Sequence, residues 1–427
     1  MVLCLGSWAA PPPAPADTLT LGVRAGAGYD DNVRLRQEPQ SDFFEELTPY
    51  ADMEWGPPED NLQLRGSITY EHYHRLTQYT GINSADLLGR YHHGFSPVTT
   101  LDLLEYFNTS YDPVEKNLAG GLVQVTDQTT RRTSNTVGSY MRHEYGPQSD
   151  VHGGYTMTYT TYDTEPSNDA YYHMVELGVT HAFNADYVAG LTARGVHNDY
   201  ERNPSTNRGT LEGRLGRWIG PTLQLYTLGA ATASRSDDDD TTPQGGQDYE
   251  IYTVQLGASH EVSPVLAWDL AAGASYVSGD SSTNSAAGKW QPTGQATITW
   301  SGQRWSLAGR GRVAYQEYDA VGQSTGLVLT EQLGVTFTRQ LAQKWDLVLL
   351  ADYIRDQYQQ DQQVAGETGR DEINTYRAGA ILTWRFARDF RFSLDYRYLE
   401  RDEDLDQNDR TQNRVILYLY ADWPNRW

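Results

Sequence analysis

The sequence has almost no cysteine and no long apolar run, and both shortages restrict what the chain can be. Its 427 residues include a single cysteine, Cys4. The chain therefore forms no internal disulfide, and after Cys4 it offers no thiol nucleophile and no thiolate ligand for a metal. No stretch approaches the roughly 18 consecutive apolar residues that a transmembrane helix needs. These shortages exclude a disulfide-stabilised secreted domain and a helical membrane protein.

Positive charge is also scarce. The chain has 33 Lys and Arg against 56 Asp and Glu, which gives a formal net charge of -23. This balance argues against nucleic-acid binding, because such binding depends on basic contacts to phosphate. The sequence also lacks a nucleophile-elbow serine, a haem-attachment motif, a glycine-rich phosphate loop and a zinc-ligand spacing. We therefore expect no enzyme activity, no cofactor and no metal site.

The chain is rich in Tyr and Gly, and its apolar and polar residues alternate. The chain has 30 Tyr and 39 Gly and a mean hydropathy of -0.63. In the C-terminal part, apolar and aromatic residues occupy every second position, whereas arginine, serine and aspartate occupy the positions between them. Side chains of a β-strand point to alternate faces, so this pattern gives one apolar face and one polar face. A membrane β-barrel needs both, since one face meets lipid and the other lines the lumen.

The connections between the alternating segments are short and long in turn. Short ones such as Ser96–Pro97 and Ser263–Pro264 alternate with longer polar ones such as Asp31–Ser41 and Glu400–Thr411. This is the connectivity of an up-and-down barrel, with short turns in the periplasm and long loops outside. The segments predict an all-β fold, a single antiparallel up-and-down transmembrane β-barrel of about 20 strands (roughly 18–22).

The domain organisation follows from the same pattern. Residues 1–16 have a short apolar core and end in Ala14-Pro15-Ala16, which is typical of a cleavage site after a secretory signal. A disordered proline-rich terminus is the alternative. No linker interrupts the β pattern after this segment, so residues 17–427 are predicted to form one barrel domain.

The alternation places a set of charged residues on the predicted lumen face. They are Glu212, Arg214, Arg310, Arg312, Asp352, Arg377, Arg385, Arg391, Asp395 and Arg397. Rows of charge in a pore set a field that selects among charged solutes. The same rows can instead form a lattice of ion pairs that holds the wall together. The two interpretations are compatible, and the sequence favours neither.

The longest connection, Asp112–Arg131, has an unusual composition for an external loop. It contains the apolar stretch Leu118-Ala119-Gly120-Gly121-Leu122-Val123, which would be unfavourable in water. Gly120 and Gly121 would let this stretch bend into the barrel mouth, and Lys116 could anchor it to carboxylates of the wall. Lys116, Leu118, Gly120, Gly121 and Leu122 are therefore candidates for a constriction loop. A short external hairpin packed on the rim is the alternative.

Two runs of acidic residues lie in predicted external loops. They are Asp237–Asp240 and the carboxylates between Glu400 and Asp409. Neither run has the spacing of an EF-hand, so solvated loop tips are the simpler interpretation. Divalent bridging to lipopolysaccharide phosphates is another. We expect outer-membrane lipid and lipopolysaccharide as the partners of the barrel, and no nucleic acid.

The N-terminal segment Leu21-Gly22-Val23-Arg24-Ala25-Gly26-Ala27-Gly28-Tyr29-Asp30-Asp31-Asn32-Val33 carries a resemblance. It resembles the opening of a family of outer-membrane β-barrel porins that are often associated with exopolysaccharide export or PEP-CTERM systems. The resemblance implies a conduit for exopolysaccharide export in the bacterial outer membrane, with a polysaccharide export machinery as partner. A general or anion-preferring diffusion porin is the first alternative. A plugged structural barrel and an outer-membrane enzyme are the others. The resemblance supplies no catalytic residues.

The barrel prediction has a direct consequence for fractionation. The apolar faces should lie in lipid, so the protein should sediment with outer membranes and need detergent for extraction. A closed barrel should also migrate faster on a gel when the sample is unboiled than when it is boiled. Recovery of the folded protein as a soluble monomer without detergent would contradict the prediction.

Overall fold

The computed structural model of the chain describes most of the sequence. The described residues are 17–36, 38–111, 114–116, 123–125, 131–163, 169–201, 205–236, 248–279, 286–320, 323–359, 363–364, 367–368, 372–403 and 409–426. The predicted signal segment, residues 1–16, lies outside them and stays a prediction. The same holds for Leu118, Gly120, Gly121 and Leu122 of the expected constriction loop.

Twenty strands form the main sheet. They are β1 (Thr18–Asp30), β2 (Asp42–Trp55), β3 (Asp60–Tyr73), β4 (Gly81–Ser96), β5 (Thr99–Ser110), β6 (Arg132–Gly146), β7 (Ser149–Tyr162), β8 (Ala170–Ala182), β9 (Tyr187–Tyr200), β10 (Thr206–Trp218), β11 (Leu223–Ser236), β12 (Tyr249–Ser263), β13 (Leu266–Gly279), β14 (Trp290–Gly302), β15 (Trp305–Ala320), β16 (Gln323–Ala342), β17 (Trp345–Tyr358), β18 (Glu372–Trp384), β19 (Phe390–Glu403) and β20 (Arg410–Arg426). Each exceeds the 9–11 residues that a tilted strand needs to cross a bilayer.

The sheet closes on itself. Every strand pairs antiparallel with the next one in the chain, and β1 also pairs with β20, from Thr18 opposite Arg426 to Asp30 opposite Arg414. The all-β, up-and-down barrel of about 20 strands is therefore confirmed. The described residues contain no helix long and apolar enough to cross a membrane.

The short turns have local causes. Proline fixes its own φ angle and lacks an N–H, which suits a tight turn and not a strand interior. Pro97 opens the two-residue turn between β4 and β5, and Pro147 opens the one between β6 and β7. Gln148, the second residue of the latter turn, has a φ of 56°. The turn after β2 uses Gly56 with a φ of 95°, where a Cβ would lie 2.1 Å from a backbone oxygen.

The outer face of the barrel is apolar and carries aromatic pairs toward both ends. Leu256 on β12 is 68% exposed, as expected for a side chain that meets lipid. Trp345 and Trp384 stack 5.6 Å apart at the end with the short turns. Tyr353 and Tyr376, eight residues farther along the same two strands, lie 5.1 Å apart. This arrangement matches the two aromatic girdles of an outer-membrane barrel.

Two short hairpins lie outside the main sheet. Val114–Lys116 pairs with Val123–Val125, and Gln363–Val364 pairs with Glu367–Thr368. The first hairpin belongs to the connection Asp112–Arg131, which the sequence predicts to be a constriction loop. Only its backbone pairing is described, so an inward fold of this loop stays a prediction.

The seam between the first and last strands is covered from the lumen side by aromatic rings that lie on glycines of β1. The three pairs are Tyr50 on Gly22, Tyr418 on Gly26 and Phe44 on Gly28. A Cβ at Gly26 would approach a ring carbon of Tyr418 to 2.7 Å, so a larger residue would displace the ring. The rings come from β2 and β20, and they therefore bridge β1 from both sides.

Ion pairs add a second layer of bridges at this seam. Arg414 on β20 reaches Glu71 on β3 at 2.5 Å and Glu46 on β2 at 3.8 Å. Glu46 also accepts hydrogen bonds from Arg24 at 2.6 Å and from the Tyr418 hydroxyl at 3.1 Å. Two buried carboxylates thus share two guanidinium groups and a phenol, as a buried charge requires. We call this cluster of Arg24, Glu46, Glu71, Arg414 and Tyr418 the seam clasp.

The two faces of one strand supply a matched test of the barrel in lipid. Leu191 on β9 is 49% exposed on the outer face, and its neighbour Thr192 lies opposite Glu212 on the lumen face. Leu191→Arg should lower the free energy of unfolding by about 2 kcal/mol, because it places a charge in the apolar band. Thr192→Arg should change it little, since the new cation faces a carboxylate. Urea unfolding in liposomes measures both. Equal losses would contradict the assigned faces.

The seam clasp predicts a large effect of removing one partner. Glu71→Ala leaves Arg414 without its closest carboxylate in a site where the Glu71 side chain is 2% exposed. We expect a loss of about 3 kcal/mol of unfolding free energy. Asp52→Ala is the control, because its ion pair with Arg65 is 41% and 67% exposed and should contribute no more than about 1 kcal/mol. A Glu71 variant as stable as the Asp52 variant would show that the clasp does not stabilise closure.

Candidate functional site

Nine of the ten residues predicted to line the lumen lie on the strand face opposite the exposed apolar side chains, and Arg385 follows the end of β18 and pairs with Asp346 of that face. On β10, for example, Glu212 and Arg214 alternate with Leu211 and Leu215, which are 51% and 57% exposed. Since the sheet is closed, the face opposite the lipid-facing leucines encloses the lumen. The structure thus brings these residues to one surface that encloses the lumen.

Most of the predicted arginines form ion pairs along this wall. The pairs are Arg214–Asp269 at 4.0 Å, Arg310–Asp352 at 3.5 Å, Arg377–Asp352 at 2.5 Å, Arg385–Asp346 at 2.6 Å, Arg391–Asp422 at 3.3 Å and Arg397–Asp395 at 2.9 Å. Asp352 therefore pairs with two arginines, Arg310 on β15 and Arg377 on β18. This geometry supports the interpretation of the rows as an ion-pair lattice. It leaves little net charge where one arginine meets one carboxylate, and an excess of positive charge where Asp352 meets two arginines.

Arg214 is held by several neighbours at once. Its guanidinium lies 3.8 Å from the centre of the Tyr226 ring and donates to the side-chain oxygen of Gln224 at 3.1 Å. The Tyr226 hydroxyl in turn donates to Asp269 at 2.7 Å. The Tyr226 ring lies over Gly257, where a Cβ would come within 2.3 Å of it. Arg214 therefore belongs to the wall and is not a free group in the lumen.

Arg312 and Glu212 differ from the other predicted residues. Both side chains are exposed, and within the described part of the chain neither forms an ion pair. Arg312 on β15 nevertheless interacts electrostatically with Glu212 on β10 and with Arg194 on β9. These strands are not neighbours in the sheet, so the groups face one another through the lumen. Arg194 is already paired with Glu176 at 2.5 Å, which leaves Arg312 and Glu212 as exposed, opposite charges.

The inward fold of the first external connection was not evident from the sequence. Residues 31–41, which we call loop 1, were expected to be a polar external loop. The structure instead buries Val33 and Leu35, which are 0% and 2% exposed. Val33 packs in a cluster with Phe44 and Ile416 on the lumen face, and Leu35 packs on Leu399. The signal in the sequence is weak: two apolar residues in an otherwise polar loop.

The corner at which β1 ends has the role expected for aspartate and asparagine. Asp30 accepts the backbone N–H of Asn32 at 2.9 Å. Asp31 accepts both the backbone N–H and the side-chain amide of Asn413, at 2.6 and 2.8 Å. The Asn32 amide donates to the backbone oxygen of Thr411 at 2.8 Å. These short polar side chains satisfy backbone groups where the ladder ends, and they attach loop 1 to β20.

Arg34 connects three loops at the external mouth. Its guanidinium lies 4.4 Å from the centre of the Tyr79 ring and 3.8 Å from that of Tyr111. Tyr79 belongs to the second external connection, and Tyr111 opens the third. Burial lowers the pKa of the Arg34 guanidinium, although the surrounding phenols and Glu71 oppose that effect. Contacts of a guanidinium with aromatic faces compensate in part for its removal from water.

The second external connection is fixed by one carboxylate at the start of β2. Asp42 is fully buried and accepts the backbone N–H groups of Phe43, Arg75 and Leu76 at 2.8, 2.7 and 2.7 Å. These hydrogen bonds stabilise the charged form of the buried carboxylate. The rim around loop 1 is therefore ordered by specific hydrogen bonds.

The histidines and acidic groups do not form a metal centre in the described part of the chain. No group of three or more potential ligands is arranged there to hold a metal ion. His92 contacts Asp102 at 2.7 Å and His93 contacts Asp60 at 3.3 Å, so the adjacent histidines have different partners. Asp237–Asp240 lies outside the described residues.

The comparison with protein families agrees with the barrel. A sequence model of the family described as "Putative beta-barrel porin 2" matches residues 202–422. A search of curated proteins gives no match. Among solved structures, the outer membrane protein opdK of Pseudomonas aeruginosa is similar with a TM-score of 0.43 and 9% identity, over 95% of this chain and 99% of that chain. A BenF-like porin of Pseudomonas fluorescens Pf-5 has a TM-score of 0.43, 10% identity and the same coverage.

The ferric enterobactin receptor PfeA of Pseudomonas aeruginosa has a TM-score of 0.48 and 9% identity, over 95% of this chain and 80% of that chain. The family match covers half of the sequence, and its range of residues 202–422 includes all ten predicted lumen residues. It does not include residues 21–33, the N-terminal segment that carries the resemblance to porins. The chain belongs to the beta-barrel porin 2 family, and it is a porin-type β-barrel of the bacterial outer membrane.

Proposed function

We propose that this barrel is a passive diffusion channel for small hydrophilic solutes, and that its exposed arginine favours anions. The observation that carries the proposal is the pair Arg312 and Glu212. Both are exposed on the lumen face and face each other from non-neighbouring strands. Most arginines of the wall are neutralised locally, so exposed charges such as this couple contribute to the field that a passing solute meets.

The chemistry of such a couple suits small polar molecules. A cation on β15 and a carboxylate on β10 produce a local field in the channel, which orients dipolar solutes as they pass. Arg194 lies near Arg312 and adds positive potential, although Glu176 compensates it in part. Field lines concentrate in a water-filled passage with low-dielectric walls. A modest preference for anions follows where arginines outnumber carboxylates on the lumen wall, as Arg310 and Arg377 do beside Asp352.

Export of exopolysaccharide, the function implied by the N-terminal resemblance, stays a prediction. The packing of loop 1 against the inner wall is the reason to prefer small solutes. Val33 and Leu35 occupy the external part of the lumen beside β19 and β20. Every unit of a polymer would have to pass this segment in turn, whereas a small solute passes it once.

Ion selectivity in planar bilayers tests the proposed function. Arg312→Gln should reduce the preference for anions, and Glu212→Gln should increase it, because each removes one unpaired charge from the passage. The two variants should therefore shift the reversal potential in a salt gradient in opposite directions. Arg217→Gln is the matched control: Arg217 lies on the outer face of β10 against the Tyr187 ring, and its neutralisation should leave the reversal potential unchanged.

Two outcomes would count against this account. A heat-modifiable, correctly folded barrel that carries no current would contradict the diffusion function. A conducting barrel in which Arg312→Gln and Glu212→Gln behave like the Arg217 control would show that this pair does not set selectivity.

A further inference from the structure

We propose that loop 1 is a fixed constriction of the external mouth and directs solutes toward the wall that carries Arg312. The inference rests on the proposed diffusion function, and it assigns the narrowing to loop 1 rather than to the third external connection. Three features of the described residues support it: apolar anchors inside the lumen, a backbone fixed by hydrogen bonds, and a clamp that joins three loops.

The anchors place loop 1 inside the barrel. Val33 is 0% exposed and contacts the cluster of Phe44, Tyr73 and Ile416. These three residues have lumen parity, since Phe43 and Val415 beside them are exposed on the outer face. An apolar side chain that is removed from water in this way holds its segment against the wall. Loop 1 thus occupies lumen volume near β2, β3 and β20.

The backbone of loop 1 has little freedom to swing outward. The backbone N–H of Val33 donates to the backbone oxygen of Gln40 at 2.9 Å, and this hydrogen bond closes the loop across its own base. Arg34 and Leu35 have φ angles of 65° and 48°, in the left-handed region that residues other than glycine rarely adopt. Asn32 holds this turn, because its backbone oxygen accepts the Leu35 N–H and its side-chain oxygen accepts the Arg36 N–H. Such a conformation persists only where the surroundings fix it.

The clamp connects loop 1 to the neighbouring loops. Arg34 lies between the Tyr79 and Tyr111 rings, and Arg36 donates to the Tyr79 hydroxyl at 2.6 Å. Loop 1 is therefore held from the wall below and from the rim beside it. The narrowed side of the mouth lies along β19, β20 and β1 to β3. The opening that remains faces the wall with Arg194, Glu212 and Arg312, which is where we place the solute path.

Shortening loop 1 tests the constriction. Residues 33–40 are replaced by Gly-Ser-Gly, which keeps Asp31 and Asn32 and their attachment to β20. Single-channel conductance in planar bilayers should rise several-fold, because the segment no longer fills the mouth. The same Gly-Ser-Gly replacement of residues 201–205, between β9 and β10, is the control and should leave conductance near that of the parent. Unchanged conductance after the loop 1 replacement, in a heat-modifiable barrel, would overturn the proposal.

A disulfide lock tests whether loop 1 is fixed or moves as a lid. Leu35→Cys and Leu399→Cys, in a Cys4→Ser background, place two thiols at a packed pair. If loop 1 is a fixed constriction, conductance should be the same before and after reduction of the disulfide. A rise in conductance on reduction would overturn the fixed state. Absence of current in the parent barrel would count against the diffusion function itself, whereas current that is insensitive to loop 1 shortening counts against this inference alone.

Discussion

The requirement that every backbone N–H and C=O be paired inside lipid governs this structure. Water is absent from the bilayer core, so an open sheet edge there costs several kcal/mol for each unpaired group. The pairing of β1 with β20 removes the two edges at once. Every other feature depends on this closure, because only a closed sheet gives the chain an inside and an outside. The glycines of β1 and the seam clasp reinforce the junction on which closure relies.

Closure also explains the chemistry of the lumen. Lipid takes the apolar face, so each strand turns its polar positions inward, and charges brought into a confined space need partners. The wall supplies them mostly between nearby strands, as Asp352 does for Arg310 and Arg377. Structural ion pairs and selectivity are therefore not competing roles. The lattice neutralises most of the wall, and charges left outside it, such as Arg312 and Glu212, contribute to the field that a solute meets.

The alternation of neighbouring residues was sufficient to predict the fold and the face to which single side chains point. A period of two depends only on neighbouring residues, so the strand count, the short turns and the lumen parity of residues such as Arg310 and Asp395 were predictable. Contacts between distant parts of the chain were not. The facing of Arg312 and Glu212 depends on the cross-section of the closed barrel, which no single strand encodes. The burial of Val33 depends on Ile416, nearly the whole chain away.

The two candidate constrictions illustrate the same limit. The third external connection was nominated because its apolar stretch is obvious in the sequence, and its side chains lie outside the described residues. Loop 1 has only Val33 and Leu35 to mark it, yet its hydrogen bonds and aromatic contacts define an inward fold. A short apolar signal becomes informative when the partner that buries it is known. Asp31 and Asn32 are common residues for the end of a strand, because their short polar side chains satisfy nearby backbone groups, whereas their attachment to Asn413 and Thr411 required the closed barrel.

The central claim is that alternate residues of each strand face lipid and a water-filled lumen, and substituted-cysteine labelling along β9 tests it most directly. Cys4 is the only native cysteine, so single cysteines at residues 188–195 in a Cys4→Ser background can be probed one at a time in intact outer membranes. A small, water-soluble, charged thiol reagent should label cysteines at the even positions, which include Thr192 and Arg194, and leave the odd positions, such as Leu191, unlabelled. Labelling without a period of two, or protection of every position, would contradict the account of an aqueous channel enclosed by this barrel.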